Sequence, residues 1–389
     1  MKEVDVLVVG AGMGGLALGL ALHRAGVPAR IFEQAPELSE VGAGIMMTPN
    51  ACRAIDGLDV FDAIDARALR PAATHYRDYR TSEIISSVVY DEAFQRRYNG
   101  PYLTIHRGDL QDALKQALVS RAPDMLKLDH LLVDVEQRGD RVTAIFANGE
   151  RIDGDVLIAA DGVRSIIREK VFGIKAADFS GHVAFRGMAP IDGLPDRFRT
   201  TDTSTCLGPG QHFVMYTVKK GAFVNFVAIP ERGGWTEEGW SVPATPQELK
   251  QEFADWHPMF HSLIEATPPD RLFKWGLFDR EPLPRWVDRR VALLGDAAHP
   301  TTPFMAQGAA MSFEDAVVLG RALVEAATID EALGRYERAR KQRGGWVQVR
   351  SRFFGELYHR QAPADEVNRE RRAANDVLYP YDATTVTLE

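Results

Sequence analysis

Val4-Asp5-Val6-Leu7-Val8-Val9-Gly10-Ala11-Gly12-Met13-Gly14-Gly15 is an apolar run that breaks into a glycine-rich turn, and its reading decides the fold. Val4 to Val9 has the character of a buried strand, and the Ala- and Leu-rich stretch from about Met13 to Ala25 that of a helix packed back on a sheet. The next strand, Ala29 to Glu33, ends in an acid. In such a βαβ unit Gly10 permits the tight turn, Gly12 lets backbone N–H groups approach a pyrophosphate, and Gly15 lets the helix lie on the strand. Glu33 is placed to accept hydrogen bonds from an adenosine ribose. Taken alone, G-x-G-x-x-G also fits a plain glycine turn. The strand, the helix and an acid about 20 residues on are the context that makes it a dinucleotide site.

The chain has 389 residues, and single cores stop growing at roughly 250–300, so two structural units are expected. A net charge of −8 without a basic stripe excludes nucleic acid as a partner. Cys52 and Cys206 stand apart, with no CxxC and no metal-like His/Cys spacing, so they read as small buried hydrophobes and no metal is expected. A reducing compartment, the cytoplasm, follows from that reading. The apolar stretch from Val6 to Leu22 is interrupted by five glycines and is no signal sequence. Nothing is long enough to span a membrane, and no membrane partner is expected.

After Glu33, Val41-Gly42-Ala43-Gly44-Ile45 is a plain turn or a loop lying along a bound cofactor. Residues 73–90 alternate as a hairpin that interrupts the nucleotide fold, with its turn near Arg80 to Ser82. Arg107 stands at the start of a helix, poorly placed for the helix dipole, and is a surface residue or a cation aimed at a phosphate. Leu126–Leu128, Leu131–Glu136, Arg141–Phe146 and Arg151–Ile152 suggest a three-stranded appendage. Val156 to Ala160 and Arg290 to Leu294 are buried parallel-type strands ending at Asp161-Gly162 and Gly295-Asp296, the sheet edge where ligands bind in open α/β folds. Between them, 212–229 is a strong hairpin whose period of two puts His212, Val214 and Tyr216 on one face. His212 and Tyr216 are then about 13 Å apart; they bracket one small ring, or each is a satisfied polar residue at a sheet margin. The segment from Pro246 to Ala266 reads as an amphipathic helix, and helices through Tyr336–Arg350 and Phe353–His359 lead to a polar, frayed end.

Three separated motifs stand in order: GAGMGG, ADGVRSIIR and LLGDAAHPTTPFMAQGAAMSFEDA. Together they resemble the single-component FAD-dependent aromatic hydroxylases, the p-hydroxybenzoate hydroxylase superfamily, over about residues 1 to 360. Gly100-Pro101-Tyr102, Gly208 to His212 with Tyr216, Asp279 to Pro282 and Gly355 to His359 are similar to the subgroup of 3-hydroxybenzoate 6-hydroxylase, salicylate hydroxylase and 6-hydroxynicotinate 3-monooxygenase. Where the hydroxynicotinate enzymes carry histidines this chain has Met46 and Phe304, and the 3-hydroxybenzoate enzyme has a glutamine near Pro303.

The resemblance implies an α/β protein: a Rossmann-type FAD-binding domain from 1–72, 101–178 and 270–345, an inserted sheet-rich substrate domain from 73–100 and 179–269, and a C-terminal helical tail, 346–389. It implies FAD held by Gly10, Gly12, Met13, Gly14, Gly15, Glu33, Gln34, Arg107, Val133, Asp161, Gly162, Asp296, Pro303, Gly308, Ala309 and Ala310. The Asp161-Gly162 motif would also serve NADH or NADPH, the transient reductant. Met46, His212, Tyr216 and Phe304 would line the substrate site, with His212 as base, by its pKa near 6.5, and Tyr216 orienting the ring. The implied reaction is NAD(P)H- and O2-dependent hydroxylation of a monohydroxylated aromatic carboxylate, or alternatively of a hydroxypyridine carboxylate, by a monomer or homodimer. A flavoprotein oxidase or dehydrogenase and a non-catalytic FAD-fold binding protein remain the readings of another class.

Overall fold

The structure, a computed structural model, describes residues 4–38, 43–175, 177–235 and 242–389. Val41 and Gly42 of the glycine-rich loop therefore lie outside the described residues.

The first layer is a six-stranded sheet in the order Val287–Asp288, Val291–Leu293, Val156–Ala159, Val6–Val9, Ala29–Phe32, Leu126–Lys127. All neighbours are parallel except the first pair. The three central strands are buried along their whole length, which is why they read as uninterrupted apolar runs. The helices Met13–Arg24 and Gly308–Glu325 pack against each other, and a Cβ on Gly320 would stand only 2.9 Å from that of Ala21. A three-stranded sheet, Leu132–Arg138, Arg141–Phe146 and Arg151–Gly154, forms the appendage. Leu126–Lys127 is not part of it, because it pairs with Ala29–Phe32 in the main sheet.

The second layer is an eight-stranded sheet in the order Val242–Pro243, Leu272–Asp279, Asp178–Pro190, Phe223–Pro230, Gln211–Val218, Thr203–Gly208, Ala73–Asp78, Ile84–Val89. The strand Leu272–Asp279 corrects the boundary expected at residue 270: it pairs with Asp178–Pro190, so this sheet runs to Asp279. Period two sorts the hairpin as expected. Phe213 and Met215 enter a core with Phe226, Phe253, Trp256 and Phe260, while Val214 and Tyr216 pack on the opposite side with Met46 and Met188. The single helix expected over Pro246–Ala266 is two, Pro246–Glu252 and Pro258–Glu265, since Pro258 has no N–H to donate and disfavours a helical residue before it.

The C-terminal region differs most from expectation. One 31-residue helix, Ile329–His359, replaces the two expected pieces, and Ala364–Leu378 follows. The end is packed rather than frayed: Ala383 and Leu388 are buried, and Arg321 Nη1 donates to the carbonyls of Ala383 and Val386 at 2.9 Å each. The helix Ala364–Leu378 docks on the helix Glu92–Tyr98 that follows the hairpin, through Tyr98 Oη donating to Asp376 at 2.6 Å and Arg97 paired with the same carboxylate.

Candidate active site

The C-terminal ends of the central strands of the six-stranded sheet open into a cavity of about 360 Å³ lined by Gly12, Met13, Gly14, Arg107, Gly162, Asp296, Pro303, Gly308 and Ala309 among others. The glycine turn is built as its chemistry requires. Gly10 has φ +101°, a Cβ on Gly15 would collide with the Gly10 carbonyl, and a Cβ on Gly12 would meet nothing, leaving that approach open. Glu33 ends its strand beside the turn, accepting the Ala11 N–H at 2.8 Å and the Ala35 N–H at 3.0 Å. Gly10, Gly15 and Ala310 support the cavity from behind, whereas Gln34 and Val133 are exposed outside it.

The two acids of the strand-end motifs, Asp161 and Asp296, behave differently here. Asp296 lines the cavity and is exposed there, although protein surrounds it. Burial pushes its carboxyl up, against the opposing charges of His299, Arg107 and Arg168. Asp161 instead faces the start of the helix Ile166–Phe172, accepting the Ile167 N–H at 3.3 Å, with its other oxygen buried and unpartnered. Gly162, at φ +77°, is the part of that motif that lines the cavity. Buried Arg168 joins the two motif loops by donating to the Ala297 carbonyl at 3.0 Å and that of Val163 at 2.6 Å.

A smaller cavity of about 70 Å³ shares Pro303 and Ala306 with the first, so it opens beside it. Met46, His212 and Phe304 line it, as does Val214. Tyr216 does not line it; its ring is packed against Gly44 and the Asn225 side chain, where a Cβ on Gly44 would clash. The period-two face is correct, but the sheet carries Tyr216 past the pocket and under the Gly44–Met47 strand. Tyr102 and Tyr358, from two of the subgroup-like stretches, also line it, as do Tyr76, Tyr379 and Arg371, which the sequence reading gave no role at the site.

His212 is buried, and its Nδ1 lies 2.8 Å from His359 Nε2; His359 Nδ1 lies 2.9 Å from Glu231 Oε1. A carboxylate only accepts, so His359 carries its proton on Nδ1, its Nε2 accepts, and His212 must donate from Nδ1. His212 Nε2 is then a bare lone pair with no partner among the described residues, on a side chain that lines the small cavity. Burial holds His212 well below its ordinary pKa, helped by His359, His182 and Arg371, so it is neutral. His182, Glu231 and His359 gather ligand atoms within 4.8 Å of one another, but both nitrogens of His359 are used by the chain just described.

Behind the first cavity, Asp315 accepts from the Gly295 N–H at 3.0 Å and from His299 Nε2 at 2.6 Å, fixing the loop that presents Asp296. The sequence signal for these links is the pair of adjacent acids, Glu314-Asp315, flanked by apolar residues in the helix, which calls for buried cationic partners.

The FAD binding domain family model matches residues 3–350. The chain is 37% identical to 3-hydroxybenzoate 6-hydroxylase 1 of Aquipseudomonas alcaligenes, over 94% of this chain and 92% of that protein. It is 34% identical to 6-hydroxynicotinate 3-monooxygenase of Bordetella bronchiseptica, over 88% and 89%. Klebsiella pneumoniae HpxO, solved with FAD and uric acid, superposes with a TM-score of 0.84 at 28% identity over 97% and 95% of the two chains. The open approach at Gly12 and the accessible Asp296 carboxylate fit FAD, and no helix among the described residues is long and apolar enough to cross a membrane. The chain belongs to the FAD-binding-domain family, among its FAD-dependent aromatic monooxygenases.

Proposed function

We propose that this enzyme hydroxylates a phenolic aromatic carboxylate of the 3-hydroxybenzoate type, with NADH or NADPH as reductant and O2 as co-substrate. The observation that carries the reading is the bare Nε2 of His212 in an aromatic cavity beside the FAD cleft. Gly12, Arg107, Asp296 and the helix opening at Gly308 and Ala309 would hold FAD, which supplies the reductive activation of oxygen when bound. The positive end of that 18-residue helix favours negative charge on the ring system.

The chain's own task is to make the substrate ring electron-rich. A phenol placed in the small cavity gives its proton to His212 Nε2. The Nδ1 proton of His212 can then pass to His359 Nε2, and that of His359 to Glu231, whose side chain is 56% exposed and returns it to solvent. The phenolate is left in a pocket walled by Met46, Phe304 and Met305, which exclude water. Tyr216, packed under Gly44, supports the wall of the FAD cleft rather than orienting the ring.

The test is NADH oxidation by the purified holoenzyme with and without 3-hydroxybenzoate, with hydroxylated product and released peroxide both quantified. Substrate-stimulated oxidation with product in excess of peroxide is expected; peroxide alone would instead indicate an oxidase. His212→Ala should retain FAD and lower the hydroxylation rate by roughly 10²-fold. An unchanged rate would return His212 to the status of a satisfied sheet residue.

A further inference from the structure

We infer that Arg371, carried by the helix Ala364–Leu378, is the binding site for the carboxylate of the substrate; this rests on the aromatic-acid reading above. Arg371 reaches the small cavity from the opposite side of the sequence to every motif that defines the family. Its guanidinium is enclosed by protein, and the surface it retains faces the cavity it lines. Nη2 donates to the Phe304 carbonyl at 2.7 Å, and the planar group stacks 4.6 Å from the Phe354 ring centroid and 5.1 Å from that of Tyr358.

One donor at this place has no acceptor: Arg371 Nε is buried without a hydrogen-bond partner, while Tyr358 Oη lies against Arg371 and Tyr76. Among the described residues no carboxylate pairs with Arg371; the groups around it are Tyr76, Tyr102, Tyr358 and Tyr379. An arginine cannot shed its proton in a protein, and an enclosed cation without a counter-charge is costly. An orphaned N–H on a fixed positive charge asks for a ligand that is anionic and accepts only, and planar carboxylate matches the guanidinium geometry. Its charge is felt at His212 across the same cavity. A hydroxybenzoate lying between them presents its hydroxyl to Nε2 of His212 and its carboxylate to Arg371, so one pocket reads both ends of the ring.

The position is held from outside the cavity. Glu370 pairs with Arg350 at 2.9 Å and Asp376 with Arg97 at 2.9 Å, so the helix is pinned on either side of Arg371.

The experiment compares dissociation constants of 3-hydroxybenzoate and 3-hydroxybenzamide, read from the flavin absorbance change of the holoenzyme, for wild type, Arg371→Met and Arg371→Lys, with FAD content and thermal midpoint measured on each. Wild type should bind the acid more tightly than the amide. Arg371→Met should weaken the acid by roughly 10²-fold and the amide by no more than about threefold, and Arg371→Lys should recover part of the loss for the acid only. Equal weakening of acid and amide, or an acid preference that survives in Arg371→Met, overturns the assignment while leaving the aromatic-acid reading intact. A wild type that does not prefer the acid overturns the substrate reading itself, and Arg371 with it. Should Arg371→Met fail to retain FAD, the wild-type pair and Arg371→Lys still decide.

Discussion

Arg340 and Arg371 are both enclosed arginines in the C-terminal helices, and the protein treats them in opposite ways. Arg340 is fully buried with Nη1 2.7 Å from Glu314 and Nε 2.7 Å from Asp315, both also fully buried. Arg343 adds a second cation to Glu314, and Asn50 donates to the same carboxylate at 2.7 Å. Arg371 has aromatic rings, one carbonyl and no acid among the described residues. At Arg340 the charge that serves the architecture is neutralised by acids of the chain. Charge left uncompensated at a cavity marks the place where a ligand completes the balance.

The largest effect expected from this contrast is in the sealed network. Burial pushes the Glu314 carboxyl up, but Arg343 and Arg340 outweigh it, and His299 with Arg340 does the same for Asp315, bringing it down to about 2. Arg340→Met would leave Glu314 only Arg343 and Asn50 and Asp315 only His299 and the Gly295 N–H, and breaking a buried pair of this kind costs roughly 3–5 kcal/mol. The urea midpoint of the holoenzyme should fall accordingly, with FAD release as the loop held by Asp315 loosens. An unfolding free energy within about 0.5 kcal/mol of wild type would mean that the network is not the anchor its geometry indicates.

The same contrast explains what could be read from the sequence. The βαβ turn, the strands ending at Asp161 and Asp296 and the hairpin face of His212 and Val214 follow from glycine sterics, double burial and period two, all of which are local. The pairing of Leu272–Asp279 with Asp178–Pro190 is set at long range, and its alternation is no different from that of other strands. Tyr216 was placed on the correct face but not at the correct depth, because depth depends on where Gly44 crosses the sheet. Arg371 sits in Arg369-Glu370-Arg371-Arg372, a run indistinguishable from a solvated helix face until tertiary packing turns one of its residues inward. The ligand-facing cation was therefore the least legible part of the site.

A smaller effect separates the two regions by pH. His359 is held down to about 4 by burial, with Glu231 opposing and His182 reinforcing; His212 is lowered by burial, His359, His182 and Arg371. Both are neutral when folded and take up a proton near 6.5 when unfolded, so the unfolded state binds more protons as pH falls. Stability should therefore decline from about pH 6.5 toward about 4, with a slope of up to ~1.4 kcal/mol per pH unit for each group. The sealed network adds to the decline only at the acid end of that window, because its carboxyls stay ionised in the fold while those of the unfolded chain take up protons near their ordinary values of about 4. His359→Gln should flatten the slope by about one proton. A slope that does not change would place the acid sensitivity elsewhere than the histidine chain.

The smallest expected effect is the stability of Arg371→Met without substrate. Removing a buried cation that has no counter-ion also removes the cost of desolvating it, and the methionine stem keeps part of the packing on Phe354 and Tyr358. Against this stands the loss of one hydrogen bond to the Phe304 carbonyl, a contribution of roughly 1.5–3 kcal/mol for a charged donor. The two terms oppose each other, and a net change within about 1 kcal/mol is expected from denaturant unfolding of the holoenzyme. Added 3-hydroxybenzoate should then stabilise wild type measurably more than the variant, because ligand that binds only the folded state adds RT ln(1 + [L]/Kd). A loss of 3 kcal/mol or more without substrate, on the scale expected for Arg340→Met, would make Arg371 a structural cation like Arg340 and erase the distinction between the two regions.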